Sequence, residues 1–188
     1  MKSFLIIDFE TLDTRPSAVV LSLGAYYVDL DKDLPSYQDI IDTGYYKTFD
    51  VEEQVQDGRT ISKDTLDWWK DVGEEAQHIL KPSNDDVSYK SLIPSLREYI
   101  SDYSDFFVFA RSPSFDFSII DDIIYSQKEE VLYPQWMQRD TRTWIECMSD
   151  YKIYNGFNIP DQGVSIIKHH ALHDIAIDII RMKMIVEA

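Results

Sequence analysis

SFLIIDFE, residues 3–10, is an apolar run with β-branched members that ends in Asp8 and Glu10. It reads as a buried strand emerging into polar residues, because a run this short is more easily buried as a strand than as a helix. Side chains two apart on a strand point to the same face, so the two carboxylates converge. Acidic groups at the end of an apolar central strand are costly to desolvate alone, and a hard cation such as Mg²⁺ or Mn²⁺ is their natural partner. The competing reading places both in the following loop, facing water.

Working outward, Arg15-Pro16-Ser17 breaks this strand. Ala18–Leu30 and Tyr45–Phe49 are the next two strand-like runs, with DLDKDLPSYQD, residues 29–39, expected as a loop between them. Helices are expected from Ser62-Lys63-Asp64-Thr65 through Leu80, from Tyr89 to Tyr103 despite Pro94, and from Phe115 to Tyr125. Phe106–Ala110 reads as a fourth strand and Met137–Thr141 as a short fifth. A last helix from Ala171 carries Leu172, Ile175, Ile179 and Met182 on one apolar face. Strands first, then helices alternating with strands, indicate an α/β fold with a mixed five-stranded sheet flanked by helices. The 188 residues, without repeat or linker, are expected to form one domain, 1–188.

The formal net charge is −16, which repels nucleic acid and anionic membranes at long range and argues against a broad duplex-wrapping surface. A small acidic pocket that holds divalent ions and grips a few nucleotides is compatible with it. No segment has the roughly 18 uninterrupted apolar residues of a membrane helix. The N-terminus lacks a secretory pattern, and Cys147, the single cysteine, is expected as a buried small apolar filler. These features together make the expected setting cytoplasmic.

Two further features join the acidic pair. RSPSFD places Asp116 just past the Phe106–Ala110 strand, where ligands bind in open α/β sheets; by itself it also reads as a solvated aspartate complementing a helix dipole. HHALHD, residues 169–174, puts Asp174 in the first turn of the last helix and His169 on the loop before it. A histidine there, with a pKa near neutrality, is suited to take a proton from an ion-bound water. Trp68 and Trp69 are adjacent on an expected helix and diverge by about 100°, so one belongs to the core and the other is free to stack on a base.

DFETLD (8–13), SFD (114–116) and HHALHD (169–174), in that order, resemble the three motifs of the DEDDh group of 3'-to-5' exonucleases, of ribonuclease-H-like fold. The resemblance spans nearly the whole chain, and the segment Thr65-Leu66-Asp67-Trp68-Trp69 is most similar to small RNase-T-like and phage enzymes. It implies that Asp8, Glu10, Asp116 and Asp174 bind two Mg²⁺ or Mn²⁺ ions and that His169 is the general base. The implied substrate is a single-stranded RNA or DNA 3' end, shortened by release of nucleoside 5'-monophosphates. Thr11 and Leu12 would meet the terminal nucleotide, Leu12 as a wedge against its base, with capping and packing of the strand end as their alternative role; Phe115 and whichever of Trp68 and Trp69 lies outside the core are further candidate substrate contacts. Ser112 stands where many relatives have Asn, and Arg111 beside it is a candidate phosphate contact with a structural ion pair as the alternative. Homodimerisation is a further expectation from similar enzymes.

Rival readings are a zinc site on His169 and His173, spaced i and i+4 but lacking an H-E-x-x-H glutamate or a cysteine cluster; a catalytically silent nucleic-acid-end or protein-binding module of the same fold; and a phosphohydrolase for free nucleotides. Under the exonuclease reading, His170 and His173 are bystanders on the helix surface.

Overall fold

A computed structural model describes residues 3–150 and 159–187. Five strands, β1 (Ser3–Thr11), β2 (Val20–Asp29), β3 (Tyr45–Thr48), β4 (Phe107–Ala110) and β5 (Gln138–Asp140), form one sheet in the order β3-β2-β1-β4-β5. β2 pairs antiparallel with β1 and β3, whereas β4 runs parallel to β1 and β5, so the sheet is mixed as its sequence indicates. This is the α/β, ribonuclease-H-like architecture.

Seven helices accompany the sheet among the described residues: α1 (Tyr37–Thr43), α2 (Val51–Gln56), α3 (Lys63–Asp71), α4 (Leu92–Ile100), α5 (Pro113–Gln127), α6 (Thr141–Met148) and α7 (Ala171–Val186). The alternation along β1 divides the core in two. Leu5, Ile7 and Phe9 pack with residues of α4 and α5 on one face, while Phe4 and Ile6 pack with α1 and α7 on the other. By the same parity Asp8 and Glu10 project toward α7. Covering both faces of a central strand is what makes its sequence nearly continuous in apolar residues.

Three helices are additions to the sequence reading and a fourth is shorter than expected. The segment read as a loop runs into α1 at Tyr37, a helix started by a capping box between Ser36 and Asp39, and α2 and α6 are also additions. Each is at most eight residues, too short for a 3.6-residue apolar period to stand out. The expected helix through Leu80 ends as α3 at Asp71, with Val72 extended and Gly73 next, before a 3₁₀ turn over Ala76–Leu80. Pro94 is accommodated because it occupies the first turn of α4, where its missing N–H has no intrahelical partner to lose. Cys147 is exposed near the end of α6, correcting its expected burial.

One glycine sets how closely α7 approaches the sheet. Gly24 pairs with Asp8 in the register of β1 and β2 and so shares the α7 face. A Cβ there would stand 2.8 Å from the Ala171 carbonyl carbon and 2.9 Å from the Leu172 nitrogen. The absent side chain lets the start of α7 lie directly on the sheet beside the Asp8 position.

Candidate active site

Three elements deliver the acidic residues to one place. β1 supplies Asp8 and Glu10; Asp116 enters on the first turn of α5, with Pro113 at its start; Asp174 lies in the first turn of α7. Asp116 is buried and its Oδ1 accepts the Phe9 backbone N–H at 3.1 Å, tying the α5 terminus to the strand between the two β1 carboxylates. Ligand atoms of Glu10, His169 and Asp174 all lie within 4.8 Å of one another.

His169 precedes α7 with φ +58°, a left-handed conformation uncommon for residues with a side chain and worth explaining where it occurs. Its backbone N–H reaches Asp174 Oδ2 at 3.2 Å, and its ring meets the Trp68 ring edge-on at 4.7 Å between centroids. The turn therefore aims the imidazole outward beside the carboxylate that its own backbone holds.

The electrostatics point one way. Burial, followed by repulsion from Asp116, Glu10, Asp174 and Asp178, raises the Asp8 carboxyl well above the usual carboxylate range. Burial and the neighbouring Asp174 and Asp116 push Glu10 up to about 8. Burial raises Asp116 to about 7 against the Phe9 N–H that favours its charged form, and raises Asp174 to about 6 with help from Asp178. Buried carboxylates so arranged cannot all be ionised at neutral pH without nearby positive charge. Carboxylate oxygens and one imidazole are a donor set that suits a divalent cation, so the residues present fit such an ion. Burial, and then Lys168, lowers the His169 pKa below its ordinary value and favours the neutral base.

Beside Glu10 opens a cleft of about 480 Å³ lined by Thr11, Thr65, Trp68 and Phe115 among others. Three expected substrate contacts thus border it: Thr11, Trp68 and Phe115. Trp68 is 43% exposed and Trp69 is 1% exposed, which resolves the pair into a surface ring and a core ring. Trp69 donates its Nε1–H to the Thr11 carbonyl at 2.9 Å, and its burial excludes it as a base contact. Leu12, expected as a wedge, is buried with Trp69, Val19 and Leu21 and packs the strand end instead. The Thr11 hydroxyl donates to the Asp13 carbonyl at 2.6 Å, a local cap on the same strand end.

Arg111 is ion-paired with Asp178, the structural alternative to phosphate contact, and Arg181 reaches the same Asp178 oxygen at 2.8 Å. Asp178, one turn beyond Asp174 and 3% exposed, is a residue that sequence reasoning missed. Its signals are the i, i+4 aspartate spacing along α7 and Arg181 three residues on, which the apolar stripe of the same helix obscures.

His173 is buried rather than on the helix surface. Its Nδ1 accepts the Ile167 backbone N–H at 3.3 Å, and the Tyr37 hydroxyl lies 2.8 Å from the same nitrogen. An imidazole nitrogen that accepts an N–H bears no proton, so the Tyr37 hydroxyl donates to it as well. This link holds the loop ahead of His169 against α1 and puts the neutral ring's proton on Nε2, so neither His173 nitrogen has a free lone pair for zinc and the His169–His173 pair loses its basis. His170, also expected on the surface, is partly buried with its ring stacked on Tyr46 at 4.3 Å.

A model of the Rv2179c-like 3'-5' exoribonuclease domain matches residues 3–185. A curated exodeoxyribonuclease of Enterobacteria phage T4 is 29% identical over 95% of this chain and 86% of its own length. Exonuclease I of E. coli, solved in complex with a dT13 oligonucleotide, superposes over 98% of this chain with a TM-score of 0.65 at 13% identity. The chain spans only 41% of that protein's length. Cell-death related nuclease 4 superposes over 98% of this chain and 64% of its own, with a TM-score of 0.58 at 14% identity. These structural likenesses are likenesses of fold. No helix among the described residues is long and apolar enough to cross a membrane.

Proposed function

Given that the chain belongs to the Rv2179c-like 3'-5' exoribonuclease domain family, we propose that it is a two-metal-ion 3'-to-5' exonuclease acting on single-stranded RNA or DNA. It would release nucleoside 5'-monophosphates one at a time. The observation that carries this reading is the convergence of Glu10, His169 and Asp174 within 4.8 Å at the end of a strand that also bears Asp8.

In this reading Asp8, Glu10, Asp116 and Asp174 hold two Mg²⁺ or Mn²⁺ ions. Bound there, such ions orient the attacking water and neutralise charge gathering on the phosphate. The chain's own groups do the rest. His169, kept neutral by burial and presented on its left-handed turn, accepts at a ring nitrogen the proton that the water gives up. The water oxygen bonds to phosphorus, the bond from phosphorus to the 3'-oxygen of the preceding nucleotide breaks, that oxygen takes a proton from solvent as it leaves, and His169 returns its own to solvent. The terminal nucleotide sits in the cleft of Thr11, Thr65, Trp68 and Phe115, where the exposed Trp68 ring offers a face to any base. Asp178, paired with Arg111 and Arg181, fixes the α7 turn below Asp174 and does not reach for substrate.

The family is described by its action on RNA and the phage T4 relative by its action on DNA, so both polymers belong in the test. Single-stranded RNA and DNA of equal sequence, labelled at the 5' end, are digested with Mg²⁺, Mn²⁺ or EDTA beside Asp8→Ala and His169→Ala. A metal-dependent ladder shortening from the 3' end, lost in both variants, is the expected result. Folded native protein that shortens neither polymer would favour a silent end-binding module.

A further inference from the structure

His169 is not oriented by a hydrogen bond of its own ring. Among the described residues its imidazole makes none, and the ring meets Trp68 edge-on. What aims it is therefore the backbone turn of residues 167–170, in which His169 is itself the left-handed residue. Such a turn persists only where its surroundings over-determine it, so the contacts on its two flanks decide where the imidazole points.

Both flanks lead to His173. On one side the Ile167 N–H donates to its Nδ1 at 3.3 Å. On the other, the His170 ring is stacked on Tyr46 and meets the His173 ring edge-on at 4.6 Å between centroids. His173 is governed in turn by Tyr37, whose hydroxyl donates to the same Nδ1 at 2.8 Å. That phenol keeps its proton, because burial and then the charge of Asp174 raise its pKa. As a lasting donor it commits Nδ1 to accepting, which is what the Ile167 N–H requires. Without the hydroxyl the ring is free to carry its proton on Nδ1, which would set two N–H groups against each other.

Helix α1 gives this link a firm support. Its start is fixed by the capping box of Ser36 and Asp39, immediately around Tyr37. At its other end Gly44 leaves room for Leu172, whose Cδ1 would stand 2.5 Å from a Cβ there. The helix is thus seated on the first turn of α7. Neither Tyr37 nor His173 borders the cleft of Thr11 and Trp68, so both bear on the reaction only through what they hold.

We propose that Tyr37 and His173 are positioning residues for the general base: Tyr37 sets the tautomer of His173, and His173 fixes the turn that presents His169. The inference rests on the exonuclease reading, in which His169 takes the proton of the attacking water. Because neither side chain touches substrate, their loss should appear in kcat and leave KM and metal uptake alone.

Tyr37→Phe keeps the ring and removes only the hydroxyl. It should lower kcat on a single-stranded oligonucleotide about 10-fold, part of the loss on the order of 100-fold that a misplacement of about 1 Å can bring, with KM and Mn²⁺ bound per chain unchanged. Tyr45→Phe is the control: it removes the hydroxyl of another buried tyrosine, 2.7 Å from Ser95 Oγ on the opposite face of the sheet, and should leave kcat native. His173→Asn sets an amide oxygen near the place of Nδ1 and should retain most of kcat, whereas His173→Ala should not. Hydrogen exchange at the Ile167 amide reads the same link without catalysis, and its protection should survive in His173→Asn and fall in His173→Ala and Tyr37→Phe. Native kcat in Tyr37→Phe, an equal loss in Tyr45→Phe, or a change confined to KM overturns the inference. If native protein hydrolyses neither RNA nor DNA while Ile167 protection follows Tyr37 and His173, the exonuclease reading falls and the hold on the turn stands.

Discussion

Adding one methyl group at Gly24 should disable the site without touching a catalytic side chain. The Cβ of Gly24→Ala would lie 2.8 Å from the Ala171 carbonyl carbon, where ordinary contact begins near 3.4 Å, and the two nearest obstructing atoms are backbone. The start of α7 must therefore withdraw by about 0.6 Å, the difference between those distances. That segment carries Asp174 and, through the 3.2 Å bond from its N–H, His169. A misplacement of about 1 Å can cost on the order of 100-fold in rate, so a loss of some tens-fold in kcat is expected. Overpacking of this kind costs about 1–3 kcal/mol, or roughly 4–8 °C in Tm for a chain of this size at the middle of that range. The assay is single-turnover hydrolysis of a single-stranded oligonucleotide, with thermal melting by circular dichroism alongside. Gly73→Ala serves as control, because a Cβ there meets nothing within 4 Å. A Gly24→Ala enzyme with native kcat would refute the claim that the glycine sets the approach of α7.

Burial and charge lead to further expected outcomes. Glu10 is raised from an ordinary 4.5 to about 8, so between those values the folded chain binds more protons than the unfolded one, and the metal-free protein should lose stability as pH rises through that window. Mg²⁺ offsets the uncovered charge, so the Tm gained on adding it should be small at pH 5 and grow toward pH 8, reaching roughly 5–10 °C at about 100 times its Kd; a gain independent of pH would contradict this. Trp68→Ala should weaken substrate binding by about 1–3 kcal/mol, or roughly 5- to 150-fold, with little change in Tm. Trp69→Ala should instead destabilise by about 3–5 kcal/mol, because that ring is a buried part of the core. Equal effects of the two on Tm would overturn their division into surface and core.

Much of the framework is legible in the sequence because it depends on short-range patterns. The period-two alternation of β1 places Asp8 and Glu10 on one face, and the five strands appear in the expected order along the chain. What local spacing lacks is the identity of the neighbour across the gap. Nothing near His173 in sequence announces Tyr37, 136 residues away, as its partner, so a buried acceptor reads as a surface residue. Leu12 and Trp69 read as substrate contacts, yet they pack against each other once α3 folds back on the end of β1. Asp178 escapes notice because one of its two partners, Arg111, arrives from the end of a different strand, while the other, Arg181, is three residues on and reads as an ordinary surface pair along the helix. Short helices such as α1 are set by caps and by the core beneath them; Tyr37, Ile40 and Ile41 do follow helical spacing, but they span barely one turn, too little to tell from a loop.

If the buried carboxylates are a divalent-metal centre, the most direct test is to count Mn²⁺ bound per chain by the loss of the free-ion electron paramagnetic resonance signal at pH 7.5. Two ions per native chain, with uptake reduced in Asp8→Asn and Asp174→Asn variants that remain folded, is the predicted result. Native protein that takes up no Mn²⁺, or variants that bind as much as the native chain, would contradict it.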